Sequence, residues 1–273
     1  MYQHNISIFI ITYNEEKDIE QCLNSVTWSN DIVILDSFST DKTLSIAGQF
    51  NNTQIFQKKF DDYASQRNHG LENINFKNPW VLILDADERC SYNLQLELLS
   101  KKFQNPNDNI VYKLRRKTFF MNKWVRHNSM YNVWIDRLVR PEKVSFYGEI
   151  HEKLQYEGKS SQLLNDIDHY PFSKGLEHWI SRRNRFSTLC AEYEINDGYK
   201  INFKNFYSKD PVKFRKFLNS IYRKLPFRWG IFFMYNFFIK LCFLDGFKGM
   251  RYVLLETYYE FLIVSKIYYK RVK

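Results

Sequence analysis

The sequence predicts an α/β protein, a mostly parallel central sheet with helices on both faces, followed by a basic, aromatic-rich helical C-terminal segment. Three observations lead there. Across about the first 115 residues, continuous apolar runs alternate with amphipathic stretches, the pattern of strands covered on both faces. Polar clusters follow the first, second and fourth of those runs, so they collect at the carboxyl edge of a parallel sheet, where ligands gather. Finally, Lys200 to Lys273 holds sixteen Lys/Arg against four Asp/Glu, whereas the whole chain is only +10.

The elements follow in order. Ile6 to Ile11 is a β-branched run ending in the polar turn Thr12-Tyr13-Asn14-Glu15. Ile19, Cys22, Leu23 and Val26 share one helical face. Ile32 to Leu35 is a second buried strand closed by Asp36, and Ser39-Thr40-Asp41 offers caps for a helix carrying Leu44, Ala47 and Phe50. A short strand near Gln54 to Phe56 precedes a helix around Ala64 to Leu71. Trp80 to Leu84 is a further strand that runs directly into Asp85-Ala86-Asp87-Glu88. From Ile110 to about Asn165 the pattern suggests loops and short strands, and Asp168 to Asp197 reads as helical.

The 273 residues suffice for a core domain plus an appended segment, and 44% apolar content suits a folded chain. Four scattered cysteines, Cys22, Cys90, Cys190 and Cys242, show no CxxC spacing; they argue against a zinc site or disulfide framework and fit a reducing compartment. No basic n-region precedes the first strand, so no signal peptide is expected. Residues 201 to 273 hold 21 of the 49 aromatics. Their most apolar stretch, Trp229 to Ile239, is broken by Lys240 and Asp245 and falls short of the roughly 20 residues of a spanning helix. Rings flanked by Lys and Arg fit a helix lying in the plane of an anionic membrane surface, although part of this segment must pack as core. Nucleic acid is the weaker partner for the same charge, since no recognised nucleic-acid module is present.

Asp85-Ala86-Asp87 is the sharpest chemical signal. Two carboxylates at the end of a buried strand suit a hard divalent cation that keeps substrate phosphates in its shell. A solvated acidic turn would read the same way in isolation, but its position after Trp80–Leu84 and its agreement with the earlier clusters favour a ligand. Asp36, with the turn to Asp41, can accept from a base N–H or ribose hydroxyl, or simply cap the next helix. Thr12, Asn14 and Glu15 are similarly open between a ligand-binding and an ordinary polar strand end. Arg67, within Gln66-Arg67-Asn68, could steer a base or diphosphate, or lie on the surface.

These pieces together, Ile10-Ile11-Thr12-Tyr13-Asn14-Glu15, Asp36-Ser37-Phe38-Ser39-Thr40-Asp41, Gln66-Arg67-Asn68 and Leu84-Asp85-Ala86-Asp87-Glu88, resemble the family 2 glycosyltransferases with the Rossmann-like GT-A fold. Within that family the chain is similar to lipopolysaccharide-core β-1,4-glucosyltransferases, with Arg137-Leu138-Val139-Arg140, Ile150-His151-Glu152 and Phe243-Leu244-Asp245-Gly246 plus Gly249 carrying the likeness. The stretch Asn128 to Val133 departs from the Gly-Gly-Trp-Tyr-Pro-Asp-like segment of that subgroup, which bears on acceptor identity.

The resemblance implies an inverting, metal-dependent transfer of a hexose, glucose from UDP-glucose, to a lipid-linked glycan such as the lipopolysaccharide inner core. It implies that Asp36 and Arg67 hold the nucleotide and that Asp85 and Asp87 bind Mg²⁺ or Mn²⁺. Inversion needs a general base outside the metal turn; Glu152 and Asp136 are the candidates, Glu152 the preferred one, with Glu149 a third. The expected division is a nucleotide-sugar half, residues 1–115, an acceptor and catalytic half, 116–199, and a membrane-associating tail, 200–273, at the cytoplasmic face of the inner membrane. The competing readings are transfer to polyprenyl phosphate, a nucleotidyltransferase (which would show a Gly-rich loop that Thr12–Glu15 lacks) and a non-catalytic nucleotide- or lipid-binding protein.

Overall fold

The structure, a computed structural model, describes residues 5–100, 103, 108–131, 133–148, 152–196, 203, 206–207 and 210–272. Asn132 and the sequence-predicted Glu149, Ile150 and His151 lie outside the described residues. Two compact units form, one of residues 1–124 and 130–174, the other of 125–129 and 175–273.

The first unit opens as expected: β1 (Ile6–Thr12), α1 (Ile19–Asn24), β2 (Ile32–Asp36), α2 (Thr43–Ala47), β3 (Thr53–Gln57), α3 (Tyr63–Asn73) and β4 (Trp80–Asp85). β1 to β4 pair in parallel in the order β3-β2-β1-β4. Alternate side chains of one strand face opposite sides, and both sides are apolar here. Ile8, Ile10, Ile32, Ile34, Leu82 and Leu84 pack with Ile19, Cys22 and Leu23 of α1. Phe9, Val33, Leu35, Val81 and Ile83 pack with Ala64 and Leu71 of α3. Asp62 caps α3 by accepting from Ser65 N–H at 2.8 Å, worth about 1 kcal/mol. Gly70 lets α3 lie directly on β1, because a Cβ there would come within 2.0 Å of the Phe9 ring.

After β4 the chain forms the expected short strands together with one long strand. β5 (Glu88–Cys90) and α4 (Tyr92–Leu98) lead into β6 (Asn109–Phe120), a twelve-residue strand, then β7 (Lys123–Trp124), β8 (Trp134–Val139), β9 (Val144–Tyr147), β10 (Lys153–Tyr156), β11 (Lys159–Gln162) and β12 (Ile167–His169). β8 joins β4 antiparallel, β6 joins β8, and β12 and β5 follow, so this segment extends the first sheet. β9 and β10 pair separately. Asp168 therefore lies on a strand, and the helix expected from it starts only at Leu176. β12 is only three residues long, too short for a two-residue period to show in the sequence.

The second unit is helical: α5 (Leu176–Asn196), α6 (Pro211–Lys224), α7 (Arg228–Met234), a π-helical turn Tyr235–Ile239, a 3₁₀ turn Cys242–Asp245 and α8 (Gly246–Val272). α5 packs on α8 through an internal charge cluster. The fully buried Arg228 donates to Glu194 at 2.7 Å and to Glu260 at 3.0 Å, and Arg183 donates to Glu256 at 2.8 Å. Part of the basic excess of this unit is thus neutralised internally.

Candidate active site

At the carboxyl edge of the parallel strands, two loops lace together. Asn14 N–H donates to Ser39 Oγ and Glu15 N–H to Thr43 Oγ1, while Asn14 Oδ1 accepts from Thr40 N–H at 2.8 Å. Asp36 is buried, with both oxygens engaged: Thr12 Oγ1 at 3.0 Å, Ser39 Oγ and N–H, and Gln57 Nε2 at 3.3 Å. Thr12, Asn14 and Asp36 thereby fix the shape of this floor. The same lacing places Asn14 and Phe38 at positive φ, 54° and 62°, and leaves the rings of Tyr13 and Phe38 exposed at the edge. Neither ring was singled out from sequence; an aromatic residue inside each polar turn is the signal that could have found them.

Arg67 is buried, so the surface reading fails. Its neighbours explain why. Gln66 donates to Ser37 Oγ at 2.8 Å, and the Asn68 amide exchanges two hydrogen bonds with the backbone of Phe146. These bonds anchor α3 on both sides and aim Arg67 at the edge, where it donates to Asp85 Oδ1 at 3.0 Å and pairs closely with Glu152.

Asp85 and Asp87 have different surroundings. Asp85 faces three guanidiniums, Arg137 at 2.7 Å, Arg67 at 3.0 Å and Arg116 at 3.5 Å. Burial works against its ionisation, but Arg137, Arg67 and Arg116 hold its carboxyl well below the usual range. Arg137 owes its aim to a bulge: Leu138 pairs with Tyr112 and Asp136 with Lys113, leaving Arg137 as the extra residue of β8. Bulges re-aim side chains beside sites in this way. The buried Glu88 completes the arrangement, accepting from Asp85 N–H at 2.9 Å, from Arg116 at 2.7 Å and from Arg137 at 3.0 Å.

Asp87 turns elsewhere. Its Oδ2 lies 3.6 Å from His169 Nε2, a neighbour that the sequence did not reveal because β12 arrives from 82 positions downstream. The pairing of β12 with β5, His169 opposite Glu88, and the bond from Tyr170 N–H to the Asp87 carbonyl at 2.9 Å fix this proximity. Two donors at that separation can each reach one ion at roughly 2.1 Å, and a carboxylate with an imidazole suits Mn²⁺. Among the described residues no group of three or more His, Cys, Asp and Glu is assembled for a metal. The pair therefore fits a cation whose remaining ligands come from substrate phosphates.

Glu15 pairs with Lys174 at 2.6 Å. Burial, outweighing Lys174, raises its pKa to about 7, with Asp87 and Asp18 adding repulsion. Burial likewise raises Asp18, against the bond from Ser173 Oγ. A Glu protonated more readily in the folded state than in the unfolded one binds extra protons between about pH 4.5 and 7, so stability falls as pH rises through that window. Glu15→Gln is expected to remove this slope, making the protein roughly 2 kcal/mol less sensitive to the change from pH 5 to pH 8 in metal-free urea unfolding.

Asp136 stands apart from these groups. It pairs with Lys113 at 3.7 Å, and burial raises its pKa against that lysine. The structure thus brings together Arg67, Asp85 and Glu152, joins Asp87 to His169, and gives Asp136 a partner on β6.

Comparison with known proteins decides what this edge belongs to. The profile of Glycosyl transferase family 2 matches residues 7–169, from β1 through His169. The chain is a family 2 glycosyltransferase. It is 26% identical over 271 residues to the lipopolysaccharide core biosynthesis glycosyltransferase LpsC of Rhizobium meliloti, covering 96% of this chain and 92% of LpsC. An uncharacterized glycosyltransferase of Rickettsia bellii is 29% identical over 269 residues, covering 96% of this chain and 85% of the relative. The crystal structure of S. aureus TarS in complex with UDP aligns over 98% of this chain and 92% of that one at a TM-score of 0.46 and 14% identity.

Proposed function

We propose that this glycosyltransferase moves a hexose, glucose from UDP-glucose, onto a lipid-linked glycan such as the lipopolysaccharide inner core, with inversion, at the cytoplasmic face of the inner membrane. The observation that carries the reaction is the pair of separate devices at one sheet edge, Asp87 with His169 and Arg67 with Glu152. The likeness to LpsC along nearly both full chains supports the acceptor class.

In this reading Tyr13 and Phe38 offer ring faces on which the base stacks. Asp87 and His169 would hold Mg²⁺ or Mn²⁺, which would supply positive charge against the departing diphosphate. Asp85 is reserved for the arginines and keeps Arg67 and Arg137 aligned. Glu152, on a segment distinct from the metal turn, takes the proton of the attacking hydroxyl, and its pair with Arg67 fixes its position.

Protection against thermal unfolding by a panel of nucleotide sugars with Mn²⁺ tests the donor, since ligand binding to the folded state raises Tm in proportion to RT ln(1 + [L]/Kd). UDP-glucose is expected to protect best; equal protection by every nucleotide sugar would remove the donor assignment. Glu152→Gln is expected to lower transfer by about 10²–10⁴-fold with UDP protection kept, and Asp136→Asn to leave it within severalfold. The reverse pattern would give Asp136 the base role.

A further inference from the structure

The most apolar stretch of the helical unit is turned inside out. Asn236 and Asp245 face inward: Asn236 is fully buried, accepting from Ser129 N–H at 2.7 Å and donating to the Phe232 carbonyl at 2.9 Å. The buried Asp245 accepts from His127 N–H at 2.7 Å and from His127 Nδ1 at 2.8 Å. α8 closes down over Asp245 at Gly249, where a Cβ would lie 2.4 Å from the Asp245 Cβ. Around them large apolar side chains face outward: Phe238 is 60% exposed, Ile239 67%, Leu244 56% and Phe247 70%, with Leu241 and Phe243 also exposed. Water selects the opposite arrangement, and an apolar patch of this kind marks a surface that meets something other than water.

The backbone shapes this patch into a corner. Leu241 adopts a left-handed conformation, φ 56° and ψ 46°, and the helical segments Arg228–Ile239 and Cys242–Val272 meet at a 71° bend. Among the described residues no single helix is long and apolar enough to cross a membrane, while the two segments that meet at this bend reach that length and apolar composition only together, as a broken span or a re-entrant loop would; the corner is the part of them that leads into a bilayer. Lys240, Lys248 and Arg251 are the basic residues beside it, and between Trp229 and Leu255 the sequence has one acidic residue, the inward-facing Asp245. The exposed apolar stripe continues along α8 through Leu254, Tyr258 and Phe261.

We infer that the corner Phe238–Phe247 is a wedge that inserts into the acyl region of an anionic bilayer, with Lys240, Lys248 and Arg251 at headgroup level. Apolar burial supplies the hold and the anionic surface potential supplies the attraction, each basic residue adding its own share. A second copy of the chain is the other occupant an apolar patch could take; the one-signed charge around it opposes self-association and favours phospholipid. The inference rests on the proposed lipid-linked acceptor only for its purpose, and its test is independent of the reaction.

The test is flotation of the full chain with vesicles of phosphatidylcholine alone or mixed with phosphatidylglycerol, in parallel with UDP and Mn²⁺ protection. The expected result is flotation with the mixed vesicles, weakening as salt rises. The variant Phe238→Ser/Leu244→Ser/Phe247→Ser is expected to lose at least tenfold in bound fraction with UDP protection and Tm unchanged. Lys240→Gln/Lys248→Gln/Arg251→Gln is expected to bind both vesicle types alike and weakly. Flotation of the triple Ser variant equal to that of the parent overturns the wedge, as does parent binding that ignores lipid charge. So does a parent that sediments as a dimer, ignores vesicles, and becomes monomeric in the Ser variant. Loss of UDP protection in the parent itself would instead count against the reaction and leave the wedge standing.

Discussion

Asp87→Ala is expected to lower sugar transfer by about 10²–10³-fold or more, the equivalent of roughly 3–4 kcal/mol of transition-state charge stabilisation. The fold should survive. Asp87 sits among acidic neighbours and contributes to the repulsion that raises Glu15, so its removal relieves strain as well as losing the His169 contact. Protection by UDP should therefore lose its dependence on Mn²⁺ while Tm without ligand stays level or rises. His169→Ala is expected to weaken the same Mn²⁺ dependence, because the two donors stand 3.6 Å apart. Asp85→Asn should behave differently: it loosens Arg67 and Arg137, and its defect should appear in stability as well as rate. Undiminished transfer by Asp87→Ala would sink the metal assignment.

Arg137→Leu is expected to produce the largest loss of stability of any single change at the site. Its guanidinium is almost wholly buried and serves both Asp85 and the fully buried Glu88. With Asp85, Glu88 and Glu152 around it, its protonated form is favoured despite burial. Removing it leaves two carboxylates compensated only by Arg67 and Arg116, and breaking a buried pair of this kind costs about 3–5 kcal/mol. Thermal unfolding should fall by roughly 10 °C. Arg137→Lys should recover little, since one ammonium cannot fork between two carboxylates. The double change Arg137→Leu/Glu88→Leu should recover a substantial part, because no unpaired charge remains at Glu88. A Tm for Arg137→Leu equal to that of the parent would show that the arginine is dispensable to the turn.

The site was legible wherever its residues lie within one strand-to-helix junction. Asp85, Asp87, Asp36 and the Thr12–Glu15 turn could be placed at one edge because a parallel sheet sends every strand's carboxyl end to the same side. The partners of those residues were not legible. His169 meets Asp87 through a strand pairing, and Arg137 reaches Asp85 through a bulge. Neither a register nor a bulge leaves a mark in spacing or composition. The same holds for Arg67, whose burial depends on Gln66 and Asn68 anchoring α3 to Ser37 and Phe146.

By itself the sequence determined the parallel half of the sheet, the helices on both its faces, the acidic turn after β4 and the contrast between an acidic body and a basic, aromatic tail. Each is a property of local composition and period, which burial on two faces imposes directly on the chain. Only the tertiary structure decided that Asp85 faces arginines while Asp87 faces a histidine, and that Asn236 and Asp245 turn inward beneath exposed apolar side chains. Those outcomes depend on which distant segments arrive beside a residue. The pairing energies that select them act between residues far apart in sequence, where no periodic pattern connects them.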